Sequence, residues 1–187
     1  MKRIILILIV VMASISAFAQ QAEADGFGVS AGFDINIPYK DSYDQRFWGT
    51  DIRAEYRRTI YKHMFVLPSV GLHYERNNCH IWDGGTIEHG YALGVGLYPL
   101  IGVNVPSSIS HSMDFFTGPS IRYYYKKDDI ISGDHISVLD GERWRVMWSL
   151  GMGYNFSRIS IRLEYAIKVT QDDWNHNTAT LRVAYHF

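Results

Sequence analysis

A strict alternation of apolar with polar or small residues recurs along the chain, and it is the feature that most constrains the fold. It is clearest over residues 159–169, where Ile159 begins the apolar series and Ser160 begins the polar and small series. Successive side chains of a β-strand point to opposite faces, so a period of two predicts strands. A helix would instead repeat its apolar residues with a period of about 3.6.

Eight segments carry this pattern: residues 27–36, 48–57, 66–75, 90–98, 115–125, 144–156, 159–169 and 179–187. An even number of antiparallel strands is typical of bacterial β-barrels that close on themselves. The sequence therefore predicts an all-β fold in which eight antiparallel strands form a closed barrel.

The size of the apolar side chains indicates which face of the barrel points outward. An eight-stranded barrel has an interior only just wide enough to be filled by side chains. The apolar face is too rich in aromatic rings for that space: Trp48, Tyr56, Tyr74, Tyr91, Phe115, Tyr123, Trp144, Trp148, Tyr154, Phe156, Tyr165, Tyr185 and Phe187. We therefore expect a transmembrane β-barrel whose aromatic residues form girdles at the membrane boundaries. The alternative is a soluble, lipocalin-like barrel with the apolar face inside.

The first residues are typical of a secretory signal peptide. Lys2 and Arg3 supply the positive start, and residues 4–12 form an unbroken apolar run. Ala17 and Ala19 supply the small residues that flank a cleavage site. The apolar run is shorter than the roughly 20 residues that a transmembrane helix requires, which argues against a membrane anchor.

Cleavage would divide the chain into a signal peptide, residues 1–19, and an outer-membrane β-barrel domain, residues 20–187. The second region carries 16 Lys and Arg against 19 Asp and Glu, a net charge of −3. This balance shows no clustered basic face, so we expect no nucleic-acid partner.

The leader, the alternating strands and the terminal run 183–187 together resemble the small OmpA/OmpX-type outer-membrane barrels. The run 91–98 and the leader ending at residues 17–20 resemble the "outer membrane protein beta-barrel domain" family, which is common in Bacteroidetes. The resemblance implies an integral protein of the Gram-negative outer membrane. It also implies that the terminal aromatic Phe187 is an assembly signal read by the barrel-assembly machinery. The family has no catalytic residues that could be transferred to this chain.

Barrels of this kind keep both termini in the periplasm and place their longer loops outside the cell. The longer connections here are expected at residues 38–46, 76–88, 126–143 and 170–177. We therefore expect four extracellular loops, a monomeric barrel, and contacts with outer-membrane lipid and lipopolysaccharide. The loop charges are consistent with a solvated surface or with divalent cations that bridge to lipopolysaccharide phosphates.

The inward face carries charges that should pair with one another, because isolated charges in a narrow interior are very costly. We expect Asp34, Asp51 and Glu75 to accompany a lumen charge network made of Arg53, Glu55, Arg57, Arg122, Arg145, Arg162, Glu164 and Arg182. A packed and paired lumen would plug the barrel. The alternative is a narrow gated channel for small solutes or ions.

Two weaker patterns in the sequence contain residue types that are used in catalysis or metal binding. His135, Ser137 and Glu142 superficially resemble the catalytic constellation of lipid A deacylases, but the longer family motif is absent and a mobile loop is expected there. A metal site could be built from residues that lie close in the sequence: His73, Glu75, His80, Asp83 and His89. Because eight scattered histidines make such clustering common, we expect no metal, no cofactor and no enzymatic activity.

The leading hypothesis for function is a non-enzymatic role in the envelope, either structural or in surface interactions through the four loops. A narrow channel is the alternative, and a lipid A-modifying enzyme is the more distant one.

Overall fold

The computed structural model describes residues 26–38, 46–80, 86–107, 111–132, 135–169 and 176–187. Within these residues the chain forms nine strands: β1 (Phe27–Pro38), β2 (Arg46–Tyr56), β3 (Arg58–Tyr61), β4 (Met64–His80), β5 (Thr86–Pro106), β6 (His111–Ser132), β7 (His135–Phe156), β8 (Ile159–Lys168) and β9 (His176–His186). In the part of the chain that is described, no helix is long and apolar enough to cross a membrane.

The strands form one antiparallel sheet that closes on itself. β1 pairs with both β2 and β9, and each later strand pairs with its neighbours in the chain. β2 and β3 both pair with β4 and are separated only by Arg57, so they are two parts of one barrel strand. The architecture is therefore an eight-stranded antiparallel barrel, which confirms the predicted fold. The predicted signal peptide, with Ala17 and Ala19 at its cleavage site, lies outside the described residues and stays a prediction.

The predicted alternation of inward and outward residues holds along the barrel strands. On β8, Leu163 is 57% exposed whereas its neighbour Arg162 is 2% exposed. On β9, Leu181 and Arg182 show the same contrast. The outer surface is thus apolar and the interior is largely polar and charged, the inverse of a soluble barrel.

Aromatic side chains cluster near both ends of the barrel. At one end, the ring centroids of Phe27 and Tyr56 lie 4.8 Å apart, and Tyr185 contacts Phe187. We call this end the base and the opposite end, toward Pro38 and the β6–β7 turn, the rim. Toward the rim, the rings of Tyr123 and Trp144 lie 4.8 Å apart, and Trp48 contacts Tyr74. Rings with a polar edge favour a membrane–water boundary, so the two groups fit the predicted girdles.

The predicted loops at residues 76–88 and 126–143 were too long. β4 continues to His80 and β5 begins at Thr86, while β6 and β7 stay in register as far as the pair Ser132–His135. The pattern misled because charged residues such as Asp128 and Asp129 occupy both faces in this part of β6, so apolar and polar residues no longer alternate.

Candidate functional site in the barrel interior

The interior contains a charged network that extends from the base toward the rim. Alternation directs its members inward from β1, β2, β4, β6, β7, β8 and β9 and from Arg57 between β2 and β3. Six arginines are matched by six carboxylates: Arg53, Arg57, Arg122, Arg145, Arg162 and Arg182 with Asp34, Asp51, Glu55, Glu75, Asp114 and Glu164. All of these side chains except the half-buried Arg57 are buried, so their equal numbers limit the cost of removing them from water.

At the base, Arg57 forms a two-pronged ion pair with Asp114. Its Nη2 donates to Asp114 Oδ1 over 2.9 Å, and its Nη1 donates to Asp114 Oδ2. Asn104 Nδ2 also donates to Asp114 Oδ1, over 2.7 Å. Paired donors of this kind fix both the charge and the orientation of the carboxylate.

A second group at the base joins Arg162 to Glu55 and His186. Arg162 Nη1 donates to Glu55 Oε2 over 2.9 Å, and its Nη2 lies 3.1 Å from His186 Nε2. Ser160 Oγ is 2.9 Å from the same ring nitrogen. These contacts tie β8 to β2 and to the last residues of β9.

In the middle of the barrel, two arginines share two carboxylates. Arg53 donates from Nε to Asp51 Oδ2 over 2.7 Å and from Nη1 to Glu164 Oε2 over 3.1 Å. Arg182 Nη2 donates to the same Asp51 oxygen over 2.8 Å, and Ser149 Oγ donates to Glu164 Oε1 over 2.9 Å. The group crosses the lumen from β2 to β7, β8 and β9, so it fixes these strands relative to one another.

Toward the rim, Glu75 gathers three basic groups. Its Oε1 lies 2.7 Å from His73 Nε2, 3.3 Å from Arg145 Nη1 and 3.5 Å from Arg122 Nη1. Arg122 Nη1 also lies 3.7 Å from Asp34 Oδ2.

An apolar wall fills the interior on the side of β4, β5 and β6. We define it by its buried members Phe65, Leu67, Tyr98, Leu100 and Phe116. It meets the charged network through Tyr98, whose ring lies 3.4 Å below the Arg53 guanidinium carbon. The interior is therefore packed by two kinds of contact, apolar on one side and ionic on the other.

The structure brings the eight predicted network residues into the interior and adds partners to them. Asp34, Asp51 and Glu75 lie where the inward face predicts them. Asp114 was missed because the predicted strand began at Phe115, although the parity of that strand places residue 114 inward.

The weaker candidates are distributed differently from expectation. Residues 135–142 belong to β7, so the expected mobile loop around His135, Ser137 and Glu142 is wrong. Glu142 is exposed, while the side chains of His135 and Ser137 lie outside what the structure describes. The same holds for the side chains of His80 and His89 and for the whole of Asp83, so of that cluster only His73 and Glu75 are placed, in contact inside the barrel.

Taken together, these contacts make a lumen whose ionisable groups are engaged with each other. Such an arrangement can hold strands in register, pass small ions if its pairs rearrange, or hold a cation among its carboxylates. Phe187, the predicted assembly signal, lies on the outer surface at the base and is 71% exposed. Its N–H donates to the Phe27 carbonyl over 2.8 Å.

Several solved outer-membrane barrels are similar to this chain. One is Ail, the attachment invasion locus protein of Yersinia pestis, in complex with the heparin analogue sucrose octasulfate, with a TM-score of 0.45, 14% identity and coverage of 87% of this chain and 97% of that one. Another is Neisserial surface protein A, with a TM-score of 0.46, 10% identity and the same two coverages. A third is the N-terminal β-barrel domain of Pseudomonas aeruginosa OprF, with a TM-score of 0.42, 13% identity and again 87% and 97% coverage.

A search of curated proteins gives no match. The bacterial phylum of the chain therefore stays a prediction.

A family model described as "Outer membrane protein beta-barrel domain" matches residues 5–187, nearly the whole chain. With its closed barrel and apolar outer surface, the chain belongs to this family of integral outer-membrane β-barrel proteins.

Proposed function

We propose that this chain is a non-enzymatic outer-membrane barrel that presents its rim for interactions at the cell surface. The observation that carries the proposal is the length of the β6–β7 hairpin. Both strands have 22 residues, whereas a barrel strand needs only about 9–11 residues to cross a bilayer. About half of the hairpin therefore projects beyond the membrane.

The described side chains of the projecting part include charged residues. β8 pairs with β7 from Met147 onward, and the Val169 N–H donates to the Val146 carbonyl, so in the described chain residues 135–145 have β6 as their strand partner. The part beyond the girdle residue Trp144, residues 135–143, is roughly 30 Å long at the usual rise per residue. We call residues 126–132 and 135–141 the rim extension.

The surface of the rim extension is charged and internally paired. Lys126 forms an ion pair with Asp128, and Lys127 Nζ lies 3.6 Å from Asp129 Oδ1. The backbone pairing of β6 with β7 holds this sheet together, and its charged pairs suit a surface that meets a partner.

The packed interior supports a non-enzymatic role. A catalytic group has to reach its substrate, whereas the charged network is buried and each of its arginines contacts a carboxylate. The apolar outer surface would contact outer-membrane lipid and lipopolysaccharide, and a monomer suffices to close the barrel.

The orientation is tested by labelling single cysteines on intact cells. In a Cys79→Ser background, Val138→Cys places a thiol on the exposed side of the rim extension, and Ser157→Cys places one at an exposed turn of the base. With a membrane-impermeant maleimide, we expect Val138→Cys to react on intact cells and Ser157→Cys only after the outer membrane is permeabilised. The opposite pattern would refute periplasmic termini.

The role of the rim extension is tested by shortening it. Lys126 and Gly141 are register partners, so residues 127–140 can be replaced by an Asn-Gly turn that keeps the hairpin closed. In a strain that lacks the protein, we expect the shortened chain to fold and to restore detergent resistance as well as the full chain does. We expect it to restore attachment of the cells to a solid surface less well than the full chain does. Equal attachment with both chains would show that the rim extension is not the interacting surface.

A narrow ion channel is the second candidate, because charged pairs follow one another from Arg57 at the base to Glu75 near the rim. Planar-bilayer recordings separate the two functions. The proposed function predicts a silent bilayer for the intact protein. Discrete openings that disappear in Glu164→Gln would instead establish conduction through the network.

A further inference from the structure

Three strands bring two carboxylates and an imidazole together inside the barrel. Asp51 of β2 and His73 of β4 are direct cross-strand partners, and Asp34 of β1 lies diagonally beside them, opposite Gly49. One ligand atom from each of these three side chains lies within 4.8 Å of the others. All three are buried, with exposures of 0% for Asp34 and 2% for Asp51 and His73.

In each carboxylate, one oxygen accepts hydrogen bonds from the protein and the other accepts none from the described residues. Asp34 Oδ1 accepts from Thr180 Oγ1 over 2.5 Å, and Asp51 Oδ2 accepts from Arg53 and Arg182. Among the described residues, Asp34 Oδ2 and Asp51 Oδ1 accept no hydrogen bond, although both atoms are buried. Asp34 Oδ2 is approached loosely, by His73 Nδ1 at 3.5 Å and by Arg122 Nη1 at 3.7 Å. Buried oxygens without hydrogen-bond donors are costly, so both oxygens can accept a further positive partner.

His73 is oriented as histidine ligands of metals usually are. Its Nε2 lies 2.7 Å from Glu75 Oε1, so the proton of the neutral ring belongs on Nε2 when Glu75 is its acceptor. Nδ1 then carries the lone pair, and it lies 3.5 Å from Asp34 Oδ2 and 3.4 Å from Arg122 Nη1. A carboxylate behind the distal nitrogen is the usual outer partner of a metal-bound histidine.

We propose that Asp34, Asp51 and His73 bind one divalent metal ion of the zinc, cobalt or manganese class, with Glu75 as a positioning residue. Two ligand atoms of a tetrahedral zinc ion lie about 3.4 Å apart when each bond is about 2.1 Å. The Asp34–His73 separation of 3.5 Å already matches that value. One imidazole with two carboxylates is a donor set that suits these ions better than Mg²⁺ or Cu⁺.

The arginines around the cluster leave these oxygens available. Arg53 and Arg182 both approach Asp51 at Oδ2 and not at Oδ1. Arg122 Nη1 stays 3.7 Å from Asp34 Oδ2 and lies 3.4 and 3.2 Å from the two ring nitrogens of His73. The two distances are nearly equal, so this group is not directed at the Nδ1 lone pair alone.

The test is cobalt binding to the full protein, extracted from outer membranes in detergent and stripped with a chelator. Because the site is enclosed, Co²⁺ is added both to the folded barrel and during refolding from urea, and its visible absorption is followed. We expect one Co²⁺ per chain, with affinity lost in Asp34→Asn and in His73→Gln. Glu75→Gln should weaken binding by about 10- to 100-fold.

Two matched controls lie outside the cluster: Asp140→Asn on the exposed rim and His111→Gln at the base, and both should bind Co²⁺ as the unchanged protein does. Migration of unboiled samples on a gel verifies folding of every variant. If the cluster variants fail to fold, X-ray absorption of the zinc-loaded natural sequence decides, because the site predicts one imidazole and two carboxylate ligands. The absence of stoichiometric metal in both protocols would overturn the proposal. A spectrum with two or more imidazoles would also overturn it.

Discussion

On β4, β5 and β6 the interior near the base is filled by the apolar wall, whereas β2, β8 and β9 contribute charged groups to the same cross-section. The wall is stabilised by burial of apolar area, which depends little on direction. The charged network is stabilised only when every member keeps its partner, because an unpaired buried charge is costly. The two regions thus share one narrow interior, but we expect the apolar wall to tolerate conservative substitutions better than the charged network does.

The first prediction tests the charged side. Arg53→Met should lower the free energy of unfolding by about 3–5 kcal/mol, because Asp51 and Glu164 lose a buried partner. Urea unfolding in lipid vesicles, followed by tryptophan fluorescence, measures the change. The double variant Arg53→Met/Glu164→Gln should recover part of the loss. A double variant that is less stable than Arg53→Met would mean that the pairing does not dominate this side.

The second prediction tests the apolar side. Phe116→Ala should cost about 3–5 kcal/mol through lost burial and the cavity left behind. Phe116→Leu should recover much of this loss, since the wall needs volume more than a particular shape. The same unfolding assay applies. If Phe116→Leu lowered the free energy of unfolding as much as Phe116→Ala, the wall would depend on side-chain shape, and it would not differ from the charged network in its tolerance of substitution.

The third prediction tests the boundary outside both regions. Leu163 is 57% exposed on the outer face of β8, so Leu163→Arg should cost about 2–4 kcal/mol if that face meets lipid near the membrane centre. Thr59→Arg, on the exposed strand β3 at the base, is the matched control and should be nearly neutral. Equal effects at the two positions would argue against a lipid-facing band.

The fourth and smallest effect lies where the two interior regions meet. A Cβ on Gly96 would lie 2.4 Å from the Tyr98 hydroxyl oxygen, and its nearest contacts are all Tyr98 atoms. Gly96→Ala should therefore cost about 1–3 kcal/mol through overpacking. In a Tyr98→Ala background the same change should be close to neutral. A persistent cost there would show that the backbone, and not the ring beneath Arg53, excludes a side chain at this position.

The alternation was sufficient to predict which residues face inward, because inside and outside differ sharply for a barrel in lipid. It failed where that difference ends: residues 126–132 and 135–143 are strands, and charged residues such as Asp128 and Asp129 occupy both faces there. The partners within the network could not be predicted either. The contact between Asp34 and His73 depends on how β1, β2 and β4 align, and a period of two carries no information about alignment between strands.

The seam between β1 and β9 has a consequence for how the barrel is made. It pairs Gly28 with His186 and Pro38 with His176, so it joins residues more than 130 positions apart in the chain. Contacts of such high sequence separation form late, since a long loop has to close before they contribute to stability. Until then β1 and β9 are open edges that any other strand could join. We therefore expect aggregation to be most favourable before the seam closes. A folding factor that shields the edges of β1 and β9 until they pair would protect the protein from aggregation in the periplasm.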